Sequence, residues 1–166
     1  MKRQGHRRIL FFAASASLLL AFGLMFLLDN PALIRWLWYV GWIVWAVGIV
    51  FVFLPMFVLR NKGGVAKGQS YVQTTALVDS GLYSVVRHPQ YLGWFLMYPA
   101  MMLFNSHWLI VVLGFLGMVC VYLFTLQEDD DLVAKFGESY ERYMTAVPQL
   151  NLIAGLIRLL GKRSES

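Results

Sequence analysis

Charged residues divide this chain into long apolar blocks, and the spacing of those blocks predicts its architecture. Ile9 to Leu28 is a run of 20 positions without a charge, about 30 Å as a helix, which matches the hydrocarbon thickness of a bilayer. Lys2, Arg3, Arg7 and Arg8 precede it like the n-region of a signal peptide. The apolar run is too long for one and lacks a small-residue cleavage site, so a retained span is expected at 9–28. Asp29-Asn30-Pro31 makes a polar turn in which Pro31 stops or restarts a helix. A second block covers 36–59; Trp36, Trp38 and Tyr39 open it at interface depth, and Pro55 is a kink position near its end. Residues 60–90 form a polar connection containing Lys62, Gly63, Gly64, Lys67 and Gly68. The third block, 91–104, is short and contains Pro99. Asn105-Ser106-His107 interrupts the pattern before a full-length block at 108–126. These last two blocks read as a helical hairpin. The pattern predicts an all-α integral membrane protein, a single membrane domain over 1–166 with about four transmembrane helices.

The tail, 127–166, keeps a helical pattern. Leu132, Phe136, Tyr140 and Tyr143 follow one another at spacings of 4, 4 and 3, a stripe on one helix face. Phe136-Gly137 predicts a break or close contact within it. Leu150 to Leu160, with Arg158, Lys162 and Arg163, is too short to span and reads as an interfacial amphipathic helix. Amphipathic carboxy-terminal helices on the cytoplasmic side are therefore expected.

Composition agrees with a bilayer. Hydrophobic residues make up 59% of the chain and charged residues 14%, with mean hydropathy +0.62. A soluble domain is about 45–50% apolar and about 25% charged, and a chain this short cannot hide the excess in a water-soluble core. The net charge of +5 comes from 14 basic and 9 acidic residues, and position matters more than the sum. Four basic residues precede the first block, four lie in 60–90 and five in the tail, leaving only Arg35 on the opposite side. The positive-inside rule then puts both termini and the 60–90 connection in the cytoplasm of a multi-pass protein, in the inner cell membrane if the source is prokaryotic. Basic residues clustered between apolar blocks suit anionic lipid, not nucleic acid. Cys120 stands alone inside an apolar run, which excludes a disulfide framework or cysteine metal cluster and suits a buried thiol. No metal site is expected.

Two polar concentrations carry the candidate chemistry. The first, 81–93, contains Tyr83, Arg87, His88, Pro89, Tyr91 and Gly93. Pro89 suits the first turn of a helix, Gly93 permits close approach, and Arg87 offers a fork for a carboxylate. Interfacial anchoring accounts for the same residue types at a helix end. The second, Gln127-Glu128-Asp129-Asp130-Asp131, holds four of the nine acids. Glu128 precedes Leu132 by one turn and so faces protein or a cavity, with Asp129 beside it and Asp130 and Asp131 solvated. Repulsion of a helix end from the membrane explains the acids equally well. An antiparallel hairpin returns its second arm to the side where the first began. His88, Tyr91 and Gly93 are therefore expected to meet Glu128 and Asp129 at one cytoplasmic mouth, in the manner of a small-molecule site.

The run Gly81-x-Tyr83, then Arg87-His88-Pro89-x-Tyr91-x-Gly93, resembles the signature of the isoprenylcysteine carboxyl methyltransferase family and the related phospholipid methyltransferases. So do the paired acids Glu128 and Asp129 followed by Leu132, Phe136, Gly137, Tyr140, Tyr143, Val147 and Pro148. The resemblance covers 77–148. It departs at Asp129, where the family usually has Glu, and in having a shorter chain with fewer spans than eukaryotic members. It implies methyl transfer from S-adenosylmethionine to a lipophilic acceptor entering from the bilayer: an isoprenylcysteine-like carboxylate, a phospholipid or another membrane-soluble molecule. Tyr83, His88, Tyr91, Gly93, Glu128, Asp129 and Tyr140 would contact the cofactor. Glu128 and Arg87 would act on the reacting groups, Arg87 by holding a carboxylate or phosphate. No Gly-x-Gly-x-x-Gly run points to a Rossmann site instead. Two other functions fit the same residues: an NADPH-dependent membrane reductase of the sterol-reductase type and a non-enzymatic membrane scaffold. The acceptor, the atom methylated and the oligomeric state are left open by the sequence.

Overall fold

A computed structural model describes residues 2–30 and 34–164. Pro31, expected to punctuate the first turn, lies outside the described residues. The regular elements are α1 (Lys2–Leu27), α2 (Arg35–Lys62), α3 (Pro89–Phe104), α4 (Trp108–Phe136), α5 (Glu138–Ala146) and α6 (Leu152–Ser164), with a 3-10 turn at Gly81–Ser84. No strand occurs among the described residues. α1, α2 and α4 are long and apolar enough to cross a membrane, and α3, at 16 residues, is shorter. α3 begins at Pro89, where a missing N–H costs nothing. α4 runs past 126 to Phe136, so the acidic run is helical.

The chain forms two compact units, Met1–Val50 with Gly93–Gln127 and Phe51–Leu92 with Glu128–Ser166. In the first, Ala21, Ala100, Met101, Phe104 and Ile110 form a core against Leu18, Leu24, Met25, Val44, Trp45 and Leu113. A Cβ on Gly114 would overlap Met102, and one on Gly117 would overlap the Tyr98 ring. The pairings 102 with 114 and 98 with 117 run in opposite directions, so α3 and α4 form the expected antiparallel hairpin. Its tip is tied down by amides. Asn105 Nδ2 donates to the Leu28 carbonyl (3.0 Å), and Asn30 Nδ2 donates to that of Phe104 (3.0 Å). These bonds satisfy carbonyls left open at helix ends. Large apolar side chains such as Phe12, Leu19, Phe26, Phe57 and Phe115 remain exposed, an arrangement suited to lipid and not to water.

The second unit has a smaller core of Tyr140, Tyr143 and Val147, packed on Leu77, Leu132, Val133, Phe136 and Met144. α4 and α5 meet at Gly137, whose φ of 59° lies in the left-handed region that glycine enters without a Cβ clash. This is the break expected at Phe136-Gly137, and it turns the aromatic stripe onto two helices. Arg158 of α6 donates to the carbonyls of Ala146 and Ser84, joining α6 to the end of α5 and to the 3-10 turn.

The contact at Gly117 tests the first unit. Gly117→Ala drives a methyl into Tyr98, whose hydroxyl donates to the Ala14 carbonyl (2.8 Å). It should destabilise the protein by about 1–3 kcal/mol, read as a lower unfolding midpoint in detergent. An unchanged midpoint would contradict this packing.

Candidate functional site

Asp129 is the most buried acid of the run, at 4% exposure, and its carboxylate accepts four hydrogen bonds. Arg87 Nη2 donates to Oδ2 at 2.9 Å and Gln149 Nε2 to the same oxygen at 3.2 Å. Tyr140 donates its hydroxyl to Oδ1 at 2.5 Å, and His88 Nε2 lies 2.8 Å from that oxygen. A carboxylate only accepts, so Nε2 carries the proton in this pairing. The donors come from the start of α3, from α5 and from the non-helical segment after it, all converging on α4. Backbone bonds reinforce the convergence: Arg87 N–H donates to the Pro148 carbonyl (2.9 Å) and His88 N–H to that of Gln149 (3.2 Å).

Arg87 is committed inward. Besides Asp129, its Nη1 donates to the carbonyls of Met144 (2.7 Å) and Val147 (3.0 Å) near the end of α5. Both terminal nitrogens are engaged, so the guanidinium ties the start of α3 to α4 and α5, while its buried Nε has no protein partner among the described residues. Tyr143 adds a further tie by donating its hydroxyl to the Tyr83 carbonyl at 2.5 Å. Burial pushes the phenols of Tyr83 and Tyr143 well above the ordinary tyrosine range. Burial, with the adjacent Asp129 carboxylate, does the same for Tyr140. These phenols stay protonated at neutral pH, and those of Tyr140 and Tyr143 serve as donors.

Beside this network lies a cavity of about 110 Å³. Its rings are Tyr83, His88, Tyr91, Phe136, Tyr140 and Tyr143, its carboxylate is Glu128, and the segment 72–78 supplies Val72, Thr74, Ala76, Leu77 and Val78 as a wall. The His88 and Tyr91 rings are 5.7 Å apart, centre to centre. Gly63 holds the wall by accepting from the N–H groups of Thr75 (2.7 Å) and Ala76 (3.1 Å).

Six of the residues singled out in the sequence therefore face one space: Tyr83, Arg87, His88, Tyr91, Glu128 and Tyr140. Two do not. Asp129 is absent from the lining, and its lone pairs are taken by protein donors. Gly93 packs in the first unit, its carbonyl oxygen 3.2 Å from where a Cβ on Gly48 would stand. Asp130 and Asp131 are exposed, as expected. The sequence reading missed Gln149 and the 72–78 wall, neither of which carries a periodic or motif signal. Tyr143 was expected as part of the stripe and of the family resemblance, without a contact to the cofactor.

A family model described as phospholipid methyltransferase matches residues 36–139. Over 87 residues the chain is 40% identical to a methanethiol S-methyltransferase of Crocosphaera subtropica, covering 49% of this chain and 29% of that protein. Over 101 residues it is 32% identical to a protein-S-isoprenylcysteine O-methyltransferase of Schizosaccharomyces pombe, covering 54% of this chain and 42% of that one. The chain thus spans well under half the length of these two curated relatives. No solved structure matches it. With more than half of its residues matched by the family model, the chain belongs to the phospholipid methyltransferase family.

Proposed function

We propose that the protein is a membrane methyltransferase that uses S-adenosylmethionine as donor and a lipophilic molecule as acceptor. The observation that carries this reading is the cavity in which Glu128 faces the rings of Tyr83, Tyr91 and Tyr140. Aromatic faces attract a cation and stack on a purine, and a carboxylate suits an ammonium group or a hydroxyl pair. The donor set therefore fits a cofactor that is at once cationic, aromatic and polar. A drug-sized ligand usually occupies about 300–1,000 Å³, more than this cavity offers.

When bound, the cofactor supplies an activated methyl group on a sulfonium. The protein's own task is alignment, since in-line transfer gains most from holding the reacting groups in register. In this reading Tyr83, Tyr91 and Tyr140 hold the cofactor's aromatic and cationic parts, and Glu128 fixes a polar group of the cofactor or the reacting end of the acceptor. Asp129 acts one layer behind, and its bonds to Arg87, His88 and Tyr140 keep Tyr140 and the start of α3 in place. The protonated phenols do not compete as nucleophiles.

The two relatives named above methylate, by their names, sulfur in one case and oxygen in the other, so the family leaves the acceptor atom open. Chemistry favours a lipophilic acceptor. The apolar helices offer a bilayer route for such a molecule, while a charged cofactor arrives from water. Both termini and the 60–90 connection are assigned to the cytoplasm, supported by the basic residues concentrated in those three segments. That topology requires α3 to cross as well. Its 16 residues reach about 24 Å, a mismatch that local bilayer thinning accommodates.

Membranes containing the protein, incubated with methyl-labelled S-adenosylmethionine, should yield a labelled lipophilic product. Glu128→Gln should lower its formation at least about 100-fold, the range lost with one well-placed polar group, with expression and unfolding midpoint intact. Undiminished labelling would remove Glu128 from the site, and NADPH binding without S-adenosylmethionine binding would favour a reductase. Asp129→Asn should behave differently. Leaving Arg87 buried without its counter-charge costs about 3–5 kcal/mol, so the midpoint itself should fall. A midpoint that drops for Glu128→Gln and holds for Asp129→Asn would reverse the two roles.

A further inference from the structure

The first unit contains an open groove of about 510 Å³, lined by Arg7, Arg8, Phe11, Phe12 and Phe124. We infer that this groove binds the headgroup and ester region of an anionic phospholipid drawn from the surrounding bilayer. The inference rests on α1 crossing a membrane and is independent of the methyl-transfer reading.

The arrangement follows from helix geometry. Residues four apart stack on one helix face, so Arg7 lies one turn before Phe11 and Arg8 one turn before Phe12. The groove therefore has a cationic turn followed, in the direction of the apolar span, by an aromatic turn. α4 supplies the third ring: Phe124 is buried, with the Arg7 guanidinium carbon 5.0 Å from its centre and the Phe11 ring at 6.3 Å. Phe11 and Phe12 meet edge to face at 5.8 Å yet stay 54% and 66% exposed.

Charge and polarity together select the occupant. Two of the five lining residues are cations and none is an acid, so an anion is favoured. Guanidinium groups pair with phosphate oxygens through two parallel N–H donors. A free phosphate would gain nothing from three phenyl rings, whereas the glycerol ester and first acyl carbons of a lipid cover them. The uncharged run of α1 begins at Ile9, directly after Arg7 and Arg8, which sets the two arginines at headgroup depth and the rings just inside it. The groove's volume lies within the range that encloses a ligand of that size.

The test uses the purified full chain in a neutral detergent and acyl-labelled lipids followed by fluorescence anisotropy. Phosphatidylglycerol should bind about tenfold more tightly than phosphatidylcholine with the same chains, in line with the attraction contributed by each arginine near an anionic surface. The double variant Arg7→Gln/Arg8→Gln should lose that preference while keeping the wild-type unfolding midpoint. Should the variant fold poorly, the wild type alone decides: raising salt to about 0.5 M should erode the preference by screening, and millimolar inorganic phosphate should leave the lipid bound. Equal binding of the two lipids by the wild type, a preference that survives in the double variant, or one indifferent to salt would overturn the proposal. Displacement by inorganic phosphate would overturn the bilayer as the source.

Discussion

A carboxylate taken out of water is stable only when donors meet its lone pairs, and removing one partner of a buried ion pair is costly. Asp129 satisfies that demand with an arginine, a histidine, a tyrosine and a glutamine reaching it from separate parts of the second unit. Each donor is fixed by being needed, so the requirement that stabilises the carboxylate also orders the site. The start of α3, the end of α4, α5 and the segment after it cannot shift far without stranding a charge. Tyr140 is held in this way as both donor to Asp129 and wall of the cavity.

Adjacent residues on a helix point about 100° apart, and this small fact divides the labour between Glu128 and Asp129. Glu128 faces the cavity with Leu132 and Phe136, and Asp129 turns into the protein. A shorter acid at 129 suits an inward role: its oxygens sit close to the backbone of α4, where four donors from neighbouring segments meet it. The aromatic stripe is preserved across the Gly137 break because α5 presents Tyr140 and Tyr143 to the same space that α4 lines with Leu132 and Phe136.

Much of this was legible in the sequence, for identifiable reasons. Uncharged runs marked α1, α2 and α4, and Asn105-Ser106-His107 marked the hairpin turn, because burial of backbone in lipid leaves few alternatives to helix. The convergence of 87–91 with 128–129 followed from hairpin topology alone. What could not be read were choices made by tertiary packing. Nothing local distinguishes an arginine that awaits a ligand from one that caps the carbonyls of Met144 and Val147. Gly93 lies outside the cavity lining, and its carbonyl oxygen faces Gly48 of α2. The 72–78 wall has no periodicity, and Gln149 reaches Asp129 only because Pro148 and Gln149 pair their carbonyls with the N–H groups of Arg87 and His88.

We propose that the cavity organised by Asp129 holds the methyl donor. Ultraviolet cross-linking of radiolabelled S-adenosylmethionine to the purified protein, followed by peptide mapping, addresses it directly. Label is expected on peptides carrying Tyr83 to Tyr91 and Glu128 to Tyr143, suppressed by unlabelled cofactor and unaffected by NADPH. Label confined to peptides from 1–50 or 93–127, or label chased by NADPH, would contradict it.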